Sequence, residues 1–330
     1  MATLASPHHL LGLQNTPREQ IVALLRATRQ MERAMGAGRG TNTNAYATAL
    51  MGKVVANLFF EDSTRTRLSF SVAAKRLGAE VIDLQGQTSS VSKGETLIDT
   101  ATNIEAMGVS ALVVRARQSG AAALIASRVH VPVLNAGDGR HEHPTQALLD
   151  AYTIAQSHQR EDFDLAGLTI AIVGDVNASR VARSNIACLT TLGARVICVG
   201  SSQLAPKGLE TLGAVVTHDL DPLLPQLDAI MMLRIQFERY ESKDAGKEAG
   251  KELGKPTVIA SVREYRSQYA LTAGRAEKLK ASAIIMHPGP INRGIELDAE
   301  VADGPQSVIL KQVSNGVLVR MAALKTMIEA

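Results

Sequence analysis

Hydroxyl and guanidinium groups alternate in the segment Ser63-Thr64-Arg65-Thr66-Arg67, directly after an apolar run. Val, Leu and Phe in residues 53–60 predict a buried strand, and apolar residues at helical spacing in residues 66–77 predict the helix that follows. Either Ser63 or Thr64 could cap this helix and leave the first-turn N–H groups free to point out of the carboxyl end of the strand. Together with the forked guanidinium of Arg65, these donors suit a phosphate or another dianion. An ordinary capped helix with solvated arginines is the alternative.

Further polar residues stand at predicted strand ends and helix starts. Arg115 ends a predicted strand, which is where ligands of parallel sheets collect. His143 and Gln146 begin a long predicted helix and share one of its faces, where they could hold a carbonyl oxygen. Lys93 follows a polar stretch and could close over an anionic substrate. His141 and His143 form an HxH pair without further ligands at suitable spacing, so we predict no metal site.

The second half of the chain carries separated arginines. Arg180 begins a predicted helix and Arg234 follows a predicted strand, an arrangement that suits a dicarboxylate because each fork can bind one carboxylate. The segment 171–180 lacks the GxGxxG pattern, so no nucleotide cofactor is predicted. In His287-Pro288-Gly289-Pro290 the backbone carbonyls could accept hydrogen bonds from an amine or amide. No nucleophile or acid–base pair stands out, so catalysis would come from positioning and charge stabilisation.

Composition narrows the class of protein. A length of 330 residues predicts two α/β domains. The net charge of +3 comes without a dense basic run or aromatic–basic interleaving, which indicates small anions rather than nucleic acid as ligands. Cys188 and Cys198 lack CxxC spacing and are interpreted as buried free thiols. We expect a soluble cytoplasmic protein, because neither a signal peptide nor a membrane-length apolar run is present.

Alternating strand and helix patterns predict an α/β fold with two doubly wound parallel-sheet domains joined by long helices. An apolar C-terminal helix is expected to pack back on the first domain. The predicted helices cover approximately residues 17–35, 66–77, 97–107, 144–158 and 316–328. The predicted strands cover residues 53–60, 80–84, 111–115, 131–134, 168–173, 195–199, 214–217, 229–232, 257–260 and 283–286.

Five motifs in one order resemble the catalytic chains of the aspartate carbamoyltransferases, within the aspartate/ornithine carbamoyltransferase superfamily. They are residues 63–67, 92–96, 143–146, 234–236 and 287–290. The resemblance implies transfer of the carbamoyl group of carbamoyl phosphate to the α-amine of L-aspartate, the committed step of de novo pyrimidine (UMP) biosynthesis, without a cofactor. It also implies a carbamoyl-phosphate-binding domain in residues 1–150 plus about 306–330, and an aspartate-binding domain in residues 151–305.

The resemblance further implies site residues. The catalytic set would be Arg65, Thr66, Lys93, Arg115 and His143. Carbamoyl phosphate would contact Ser63, Thr64, Arg65, Thr66, Ser89, Lys93, Arg115, His143, Gln146, Pro288 and Gly289. L-aspartate would contact Lys93, Arg180, Arg234, Gln236, Gly289 and Pro290.

The same resemblance implies an assembly and a closing motion. The chain would form a homotrimer with shared active sites, in which Ser89 and Lys93 reach in from the neighbouring subunit. A larger complex with regulatory or dihydroorotase-like chains stays open. Domain closure would involve contacts of Glu61 with Arg180 and Arg239.

Two positions depart from the family pattern. Asp62 adds a negative charge beside the expected phosphate site, and Gly289 replaces the leucine of the enteric enzyme. An ornithine carbamoyltransferase is one alternative, but paired arginines disfavour an acceptor with a cationic side chain. A catalytically silent anion-binding or scaffold subunit is the other, although such a subunit has no chemical need for the predicted catalytic residues.

Overall fold

The computed structural model describes residues 9–36, 44–85, 95–235 and 261–330. Within these ranges the first half of the chain forms a parallel sheet in the order β2-β1-β3-β4. Its strands are β1 (Val54–Phe59), β2 (Glu80–Gln85), β3 (Ala111–Ala116) and β4 (Val133–Asp138). The helices of this half are α1 (Arg18–Gly36), α2 (Thr64–Arg76), α3 (Leu97–Ala106), α4 (Ala121–Ala126) and α5 (Pro144–Ser157). Strands β1, β3 and β4 are almost continuously buried, as expected of parallel strands with helices on both faces.

The second half forms another parallel sheet, in the order β7-β6-β5-β8-β9. Its strands are β5 (Thr169–Val173), β6 (Arg195–Val199), β7 (Val215–Thr217), β8 (Ala229–Met232) and β9 (Ile284–Met286). The α-helices that follow are α6 (Arg180–Thr191), α7 (Val262–Tyr269), α8 (Ala273–Ala276), α9 (Ala299–Ala302) and α10 (Ile309–Glu329). Two 3₁₀ helices cover Lys207–Leu212 and Asp221–Gln226.

Both sheets reverse their strand order at one point. In the first sheet the order turns between β1 and β3, and in the second between β5 and β8. Loops that leave neighbouring strands in opposite directions open a crevice at such a point, and open α/β sheets bind ligands there. The polar segments after β1, β3, β5 and β8 all begin at these two crevices, which explains how residues far apart in the chain meet.

The C-terminal helix α10 packs against α1, α2 and α5. Its apolar residues Val319, Met321 and Leu324 belong to the same buried core as the helices of the first half. This confirms the predicted return of the chain to the first domain, although the helix begins at Ile309, earlier than the predicted position 316. The predicted α/β architecture is confirmed.

Two sequence predictions differ from the structure or lie outside its described residues. The strand predicted at residues 257–260 lies outside the described residues. Position 150, predicted as a domain boundary, falls inside α5. No helix of the described ranges combines the length and the apolar character needed to cross a bilayer.

Candidate active site

A cleft of ≈ 520 Å³ opens between the carboxyl ends of the two sheets. Every predicted site residue within the described ranges lines it: Ser63, Thr64, Arg65, Thr66, Arg115, His143, Gln146, Arg180, Arg234, Pro288, Gly289 and Pro290. The remaining predicted residues, Ser89, Lys93, Gln236 and Arg239, lie outside the described residues. Asp62 also lines the cleft and is exposed there.

The first turn of α2 faces this cleft. Ser63 occupies the N-cap position with an extended backbone, but its side chain makes no capping hydrogen bond. The prediction that a hydroxyl group caps this helix is therefore wrong for the residue at the cap, because its side chain does not turn back onto the first turn. The missing cap favours anion binding at this helix end, since uncapped N–H groups and the positive end of the helix dipole can both bind an anion.

Arg65 lies directly against the backbone of Gly289. A Cβ atom at Gly289 would lie 2.6 Å from Arg65 Nη1, and the Gly289 φ of +68° belongs to the left-handed region. Glycine therefore meets two local demands at this position. Partial burial, followed by the positive charge of Arg234, lowers the pKa of Arg65. The two arginines thus raise the positive potential within one cleft.

Glu61 links guanidinium groups from both halves of the chain. Its carboxylate binds Arg180 in a bidentate pair, with Oε1–Nη2 and Oε2–Nη1 distances of 2.5 and 2.9 Å. Oε1 also accepts a 2.9 Å hydrogen bond from Arg115 Nη2. Burial alone would raise the pKa of Glu61, but the hydrogen bond from Arg180 and the charges of both arginines outweigh burial and lower it. The predicted contact of Glu61 with Arg180 is present.

His143 lies at the N-cap of α5 and is almost fully buried. Its backbone N–H donates to Ser184 Oγ at 2.8 Å, which fixes the start of the helix. Burial, and then the charges of Arg320, Arg115 and Arg180, hold the pKa of His143 well below its usual range. The imidazole is therefore neutral at physiological pH, and its Nδ1 has no hydrogen-bond partner within the described residues.

The segment 287–290 is held by two buried side chains. His287 Nδ1 accepts a hydrogen bond from Gly289 N at 2.7 Å, so Nε2 carries the proton and faces Glu296 Oε1 at 3.1 Å. Gln312 of α10 accepts from His287 N at 3.0 Å. These contacts fix the backbone that brings Pro288–Pro290 to the cleft.

Arg320 is a cleft residue that the sequence predictions did not include. It is almost fully buried and donates to Ser69 Oγ at 2.8 Å. Burial lowers its pKa to about 10, with attraction to Asp150 and repulsion from Arg115 acting in opposite directions. The sequence signal for a functional arginine here was a single arginine in an apolar helix, four residues after Gly316. The structure explains the glycine, because a Cβ at Gly316 would lie 2.7 Å from Arg320 Nη1.

Two family models match the chain. The aspartate/ornithine carbamoyltransferase carbamoyl-P binding domain matches residues 8–156, and the Asp/Orn binding domain of the same family matches residues 166–327. The chain belongs to the aspartate/ornithine carbamoyltransferase family. Among the described residues of this family member, no group of three or more His, Cys, Asp or Glu side chains is arranged to hold a metal ion.

Individual family members show the same similarity. The aspartate carbamoyltransferase catalytic subunit of Myxococcus xanthus is 53% identical over 317 residues, covering 96% of this chain and 98% of the relative. The structure of Trypanosoma cruzi aspartate transcarbamoylase with carbamoyl phosphate and aspartate is 31% identical, with a TM-score of 0.80 and 96% of both chains covered. Ornithine carbamoyltransferase of Thermus thermophilus reaches a TM-score of 0.79 at 25% identity, covering 98% of this chain and 99% of that one. The fold is thus common to both branches.

Proposed function

We propose that this chain is an aspartate carbamoyltransferase, which transfers the carbamoyl group of carbamoyl phosphate to the α-amine of L-aspartate. The products are N-carbamoyl-L-aspartate and phosphate, in the committed step of de novo pyrimidine (UMP) biosynthesis. The observation that carries the proposal is the convergence of Arg65, Arg115, Arg180 and Arg234 on one cleft beside a neutral histidine. Relatives with the aspartate name cover nearly the whole chain.

Carbamoyl phosphate binds at the first crevice in this proposal. The uncapped first turn of α2 and the Arg65 fork bind the phosphate, with Ser63, Thr64 and Thr66 supplying hydroxyl donors. Arg115 bridges the phosphate and the carbonyl oxygen. Together with Thr66, neutral His143 donates one N–H to that oxygen. A neutral donor can stabilise the developing oxyanion without a further cation in the cleft.

L-aspartate binds at the second crevice, with Arg180 on its α-carboxylate and Arg234 on its side-chain carboxylate. Arg180 is already paired with Glu61, so it is held in place before the substrate arrives. Backbone carbonyls around Pro288 and Gly289 accept from the amine. The cationic side chain of ornithine would face Arg234 instead, which disfavours the ornithine reaction.

Chemistry then needs no covalent enzyme intermediate. The deprotonated α-amine attacks the carbamoyl carbon, a C–N bond forms, and the carbonyl oxygen becomes a tetrahedral oxyanion beside His143, Arg115 and Thr66. The C–O bond to phosphate breaks as the oxyanion collapses, and the attacking nitrogen passes its extra proton to the departing phosphate. Positioning of both substrates and electrostatic stabilisation are each capable of supplying several kcal/mol of the rate acceleration, on the order of 3–10 kcal/mol.

The proposed assembly is a homotrimer in the cytoplasm with active sites shared between subunits. Apolar side chains beside the cleft support an interface: Leu68 and Val72 of α2 are 53% and 40% exposed, and Ile82 of the edge strand β2 is 40% exposed. Two buried free cysteines fit a reducing compartment. Ser89 and Lys93 would enter the neighbouring site. Regulatory or dihydroorotase-like chains would join outside this contact.

Mixed assemblies test the shared site. Lys93→Ala and Arg115→Ala chains are each expected to be inactive alone. The two variants are then dissociated, mixed and reassembled. In the mixed trimers, some sites combine Arg115 from a Lys93→Ala chain with Lys93 from an Arg115→Ala chain, so activity returns. A mixture that stays inactive while it forms trimers contradicts the sharing of sites and leaves the reaction untouched.

The proposed carbamoyl-phosphate-binding domain consists of residues 1–150 and about 306–330, and the proposed aspartate-binding domain consists of residues 151–305. Packing of α10 on the first half supports this division. Expression of residues 151–305 without α10 is expected to give a folded unit that binds no carbamoyl phosphate, measured by circular dichroism and calorimetry. An unfolded product contradicts this division.

Product formation tests the reaction itself. Purified protein is assayed with carbamoyl phosphate and either L-aspartate or L-ornithine, next to Arg65→Ala and its control Arg76→Ala. Arg76 lies exposed at the far end of α2. We expect carbamoyl-aspartate alone, with Arg65→Ala slower by at least roughly a thousandfold, the size of effect seen on removing an electrostatic catalytic group. Citrulline as the product refutes the aspartate assignment, and no product refutes the enzyme.

A further inference from the structure

Asp150 is a fully buried carboxylate directly behind the cleft. It lies one turn after Gln146 in α5, and Oδ1 accepts hydrogen bonds from Gln146 Nε2 at 3.0 Å and from Gln312 Nε2 at 2.8 Å. Oδ2 accepts from Asn185 Nδ2 at 2.8 Å. Three amides from three different helices thus donate to one carboxylate.

Two of these amides are fixed by a second hydrogen bond. Gln312 Oε1 accepts the hydrogen bond of His287 N at 3.0 Å, so only its NH₂ group can face Asp150. Asn185 Nδ2 donates to Val181 O at 3.0 Å as well as to Asp150. Within the described part of the chain, the Gln146 side chain makes no comparable second hydrogen bond and instead lines the cleft. Its orientation therefore depends on Asp150.

An ionised carboxylate has only acceptor atoms. The NH₂ end of Gln146 must face it, and the carbonyl oxygen is the end of the amide that remains for the cleft. A ligand group that meets this oxygen gains a hydrogen bond only if it carries an N–H or O–H donor. The site is thereby made selective for a donor at one position of the ligand.

We propose that Asp150 is a positioning residue that makes the site select a carbamoyl group, by holding the Gln146 amide with its oxygen towards the cleft. The inference rests on the proposed function, because it assigns the carbamoyl NH₂ as the group that Gln146 meets. An acyl phosphate with a methyl group in place of NH₂ has nearly the same shape and charge but no N–H. Acetyl phosphate is that compound, and it isolates the contribution of the amide.

The selectivity ratio is the Kd of acetyl phosphate divided by the Kd of carbamoyl phosphate, both measured by titration calorimetry. For the wild-type protein we expect a ratio of about ten, the effect of one hydrogen bond that the methyl group cannot make. In Asp150→Ala the Gln146 amide turns freely, and the ratio is expected to fall towards one. Acetyl phosphate keeps its affinity within about twofold, because phosphate contacts are unchanged.

Asn185→Ala is the matched control, since it removes a hydrogen bond from the other oxygen of Asp150 and leaves Gln146 in place. It is expected to keep the wild-type ratio even if its melting temperature falls. Gln146→Met is expected to lose the ratio, and Asp150→Ala added to it should then change the ratio no further. An Asp150→Ala protein with the wild-type ratio overturns the proposal, as does an equal loss in Asn185→Ala.

A pH titration of the wild-type protein covers the case in which Asp150→Ala does not fold. Burial raises the pKa of Asp150 to about 6, with hydrogen bonds from Asn185, Gln312 and Gln146 and the charge of Arg320 opposing the rise. Below this pH the protonated carboxyl donates, and Gln146 is the amide free to turn and accept. The ratio should fall between pH 8 and pH 5 in wild type and stay constant in Gln146→Met. The two ligands share similar phosphate ionisation, which cancels in the ratio.

The neighbouring groups do not mimic this titration. Arg320 stays charged over that range, since burial lowers its pKa only to about 10. Burial raises the pKa of the Cys188 thiol, which stays neutral. A constant ratio in the wild-type protein overturns the inference alone, whereas a protein that binds neither acyl phosphate refutes the proposed function as well.

Discussion

Two carboxylates, one lining the cleft and one buried behind two residues that line it, respond differently to burial. Glu61 at the mouth accepts from the guanidinium groups of Arg115 and Arg180, and these charges lower its pKa. Asp150 beneath the floor accepts from three neutral amides, which do not offset its burial, and its pKa rises to about 6. Both groups orient their neighbours, and in both cases those neighbours stabilise the anion, but only at Glu61 do they outweigh the effect of burial on the pKa.

The difference matches the ligand groups that each region is proposed to meet. The arginines that Glu61 holds would face the phosphate and carboxylate groups of the substrates. One carboxylate fixes two guanidinium groups, so the cleft keeps a net positive charge for these anions. Amides held at the floor would face the neutral carbamoyl group, where an added charge would attract the wrong part of the substrate. A buried carboxylate that accepts its hydrogen bonds from amides rather than from a cation lowers the free energy of unfolding, but it fixes the direction of those amides.

Among the changes that test this comparison of the two carboxylates, removing the charge of Glu61 is expected to have the largest effect. In Glu61→Gln, two guanidinium groups lose their carboxylate and Arg180 is no longer held for its substrate. We expect kcat/KM for L-aspartate to fall about a hundredfold, as for other misplaced substrate-binding groups. Steady-state kinetics measure it, with Glu80→Gln at the exposed start of β2 as the control. An unchanged kcat/KM would show that the clamp does not position Arg180.

Gly289 belongs to the segment 287–290, which Gln312 holds, and its backbone lies against the guanidinium group of Arg65. Gly289→Ala would place a methyl group against the guanidinium of Arg65 and strain a positive φ. A loss of about tenfold in kcat is expected, since Arg65 must shift. Gly294→Ala is the control because its φ is +81° but no atom lies within 4 Å of the added Cβ. Equal losses in both variants would assign the effect to backbone strain alone.

The opposite pKa shifts predict opposite effects of pH on stability. Asp150 binds its proton more tightly in the folded state, so its penalty is complete above pH 6 and shrinks as the pH falls towards 3.8. Glu61 contributes stability above its ordinary pKa of 4.5, which is lost as the pH falls through its lower folded value.

Between pH 6 and pH 5, the free energy of unfolding of wild type relative to Asp150→Ala should therefore rise by up to about 1.4 kcal/mol. Urea unfolding at both pH values measures the change, which corresponds to about tenfold in the unfolding equilibrium. A fall in the relative free energy over this range would mean that the Asp150 pKa is not raised.

The smallest effect is expected at Asp62, which lines the cleft next to Glu61 and adds an exposed negative charge there. Asp62→Asn should strengthen carbamoyl phosphate binding about threefold at low salt, because an exposed charge acts weakly and is screened. Calorimetry at 20 mM and 200 mM salt measures the effect, because the Debye length falls from about 20 Å to about 7 Å and the difference between Asp62→Asn and wild type should shrink with it. Weaker binding in Asp62→Asn would show that the carboxylate instead organises the site.

The positions of Arg65, Arg115, Arg180 and Arg234 could be predicted from the sequence because Arg115 lies at the carboxyl end of β3 and the other three follow strand ends. Alternating strands and helices imply a parallel sheet, and a parallel sheet gathers those ends at one edge. Capping by Ser63 could not be predicted, since the same residue types serve helix ends with and without a side-chain hydrogen bond. Asp150 and Gln312 gave no signal, because each is one of several polar residues in its helix and no local pattern marks the one that meets a distant partner.

Most strands, the longest helices and the donors and cations near their ends could be predicted from the sequence alone, since these depend on residues a few positions apart, whereas the short helices α4, α8 and α9 and the helix α7 were not predicted. Only the tertiary structure decided which carboxylate each cation and amide meets. Gln312 reaches Asp150 across 162 positions, and Arg180 reaches Glu61 across 119. The protonation states of Glu61, His143 and Asp150 follow from those meetings, because burial and distant charges set a pKa that no local pattern contains.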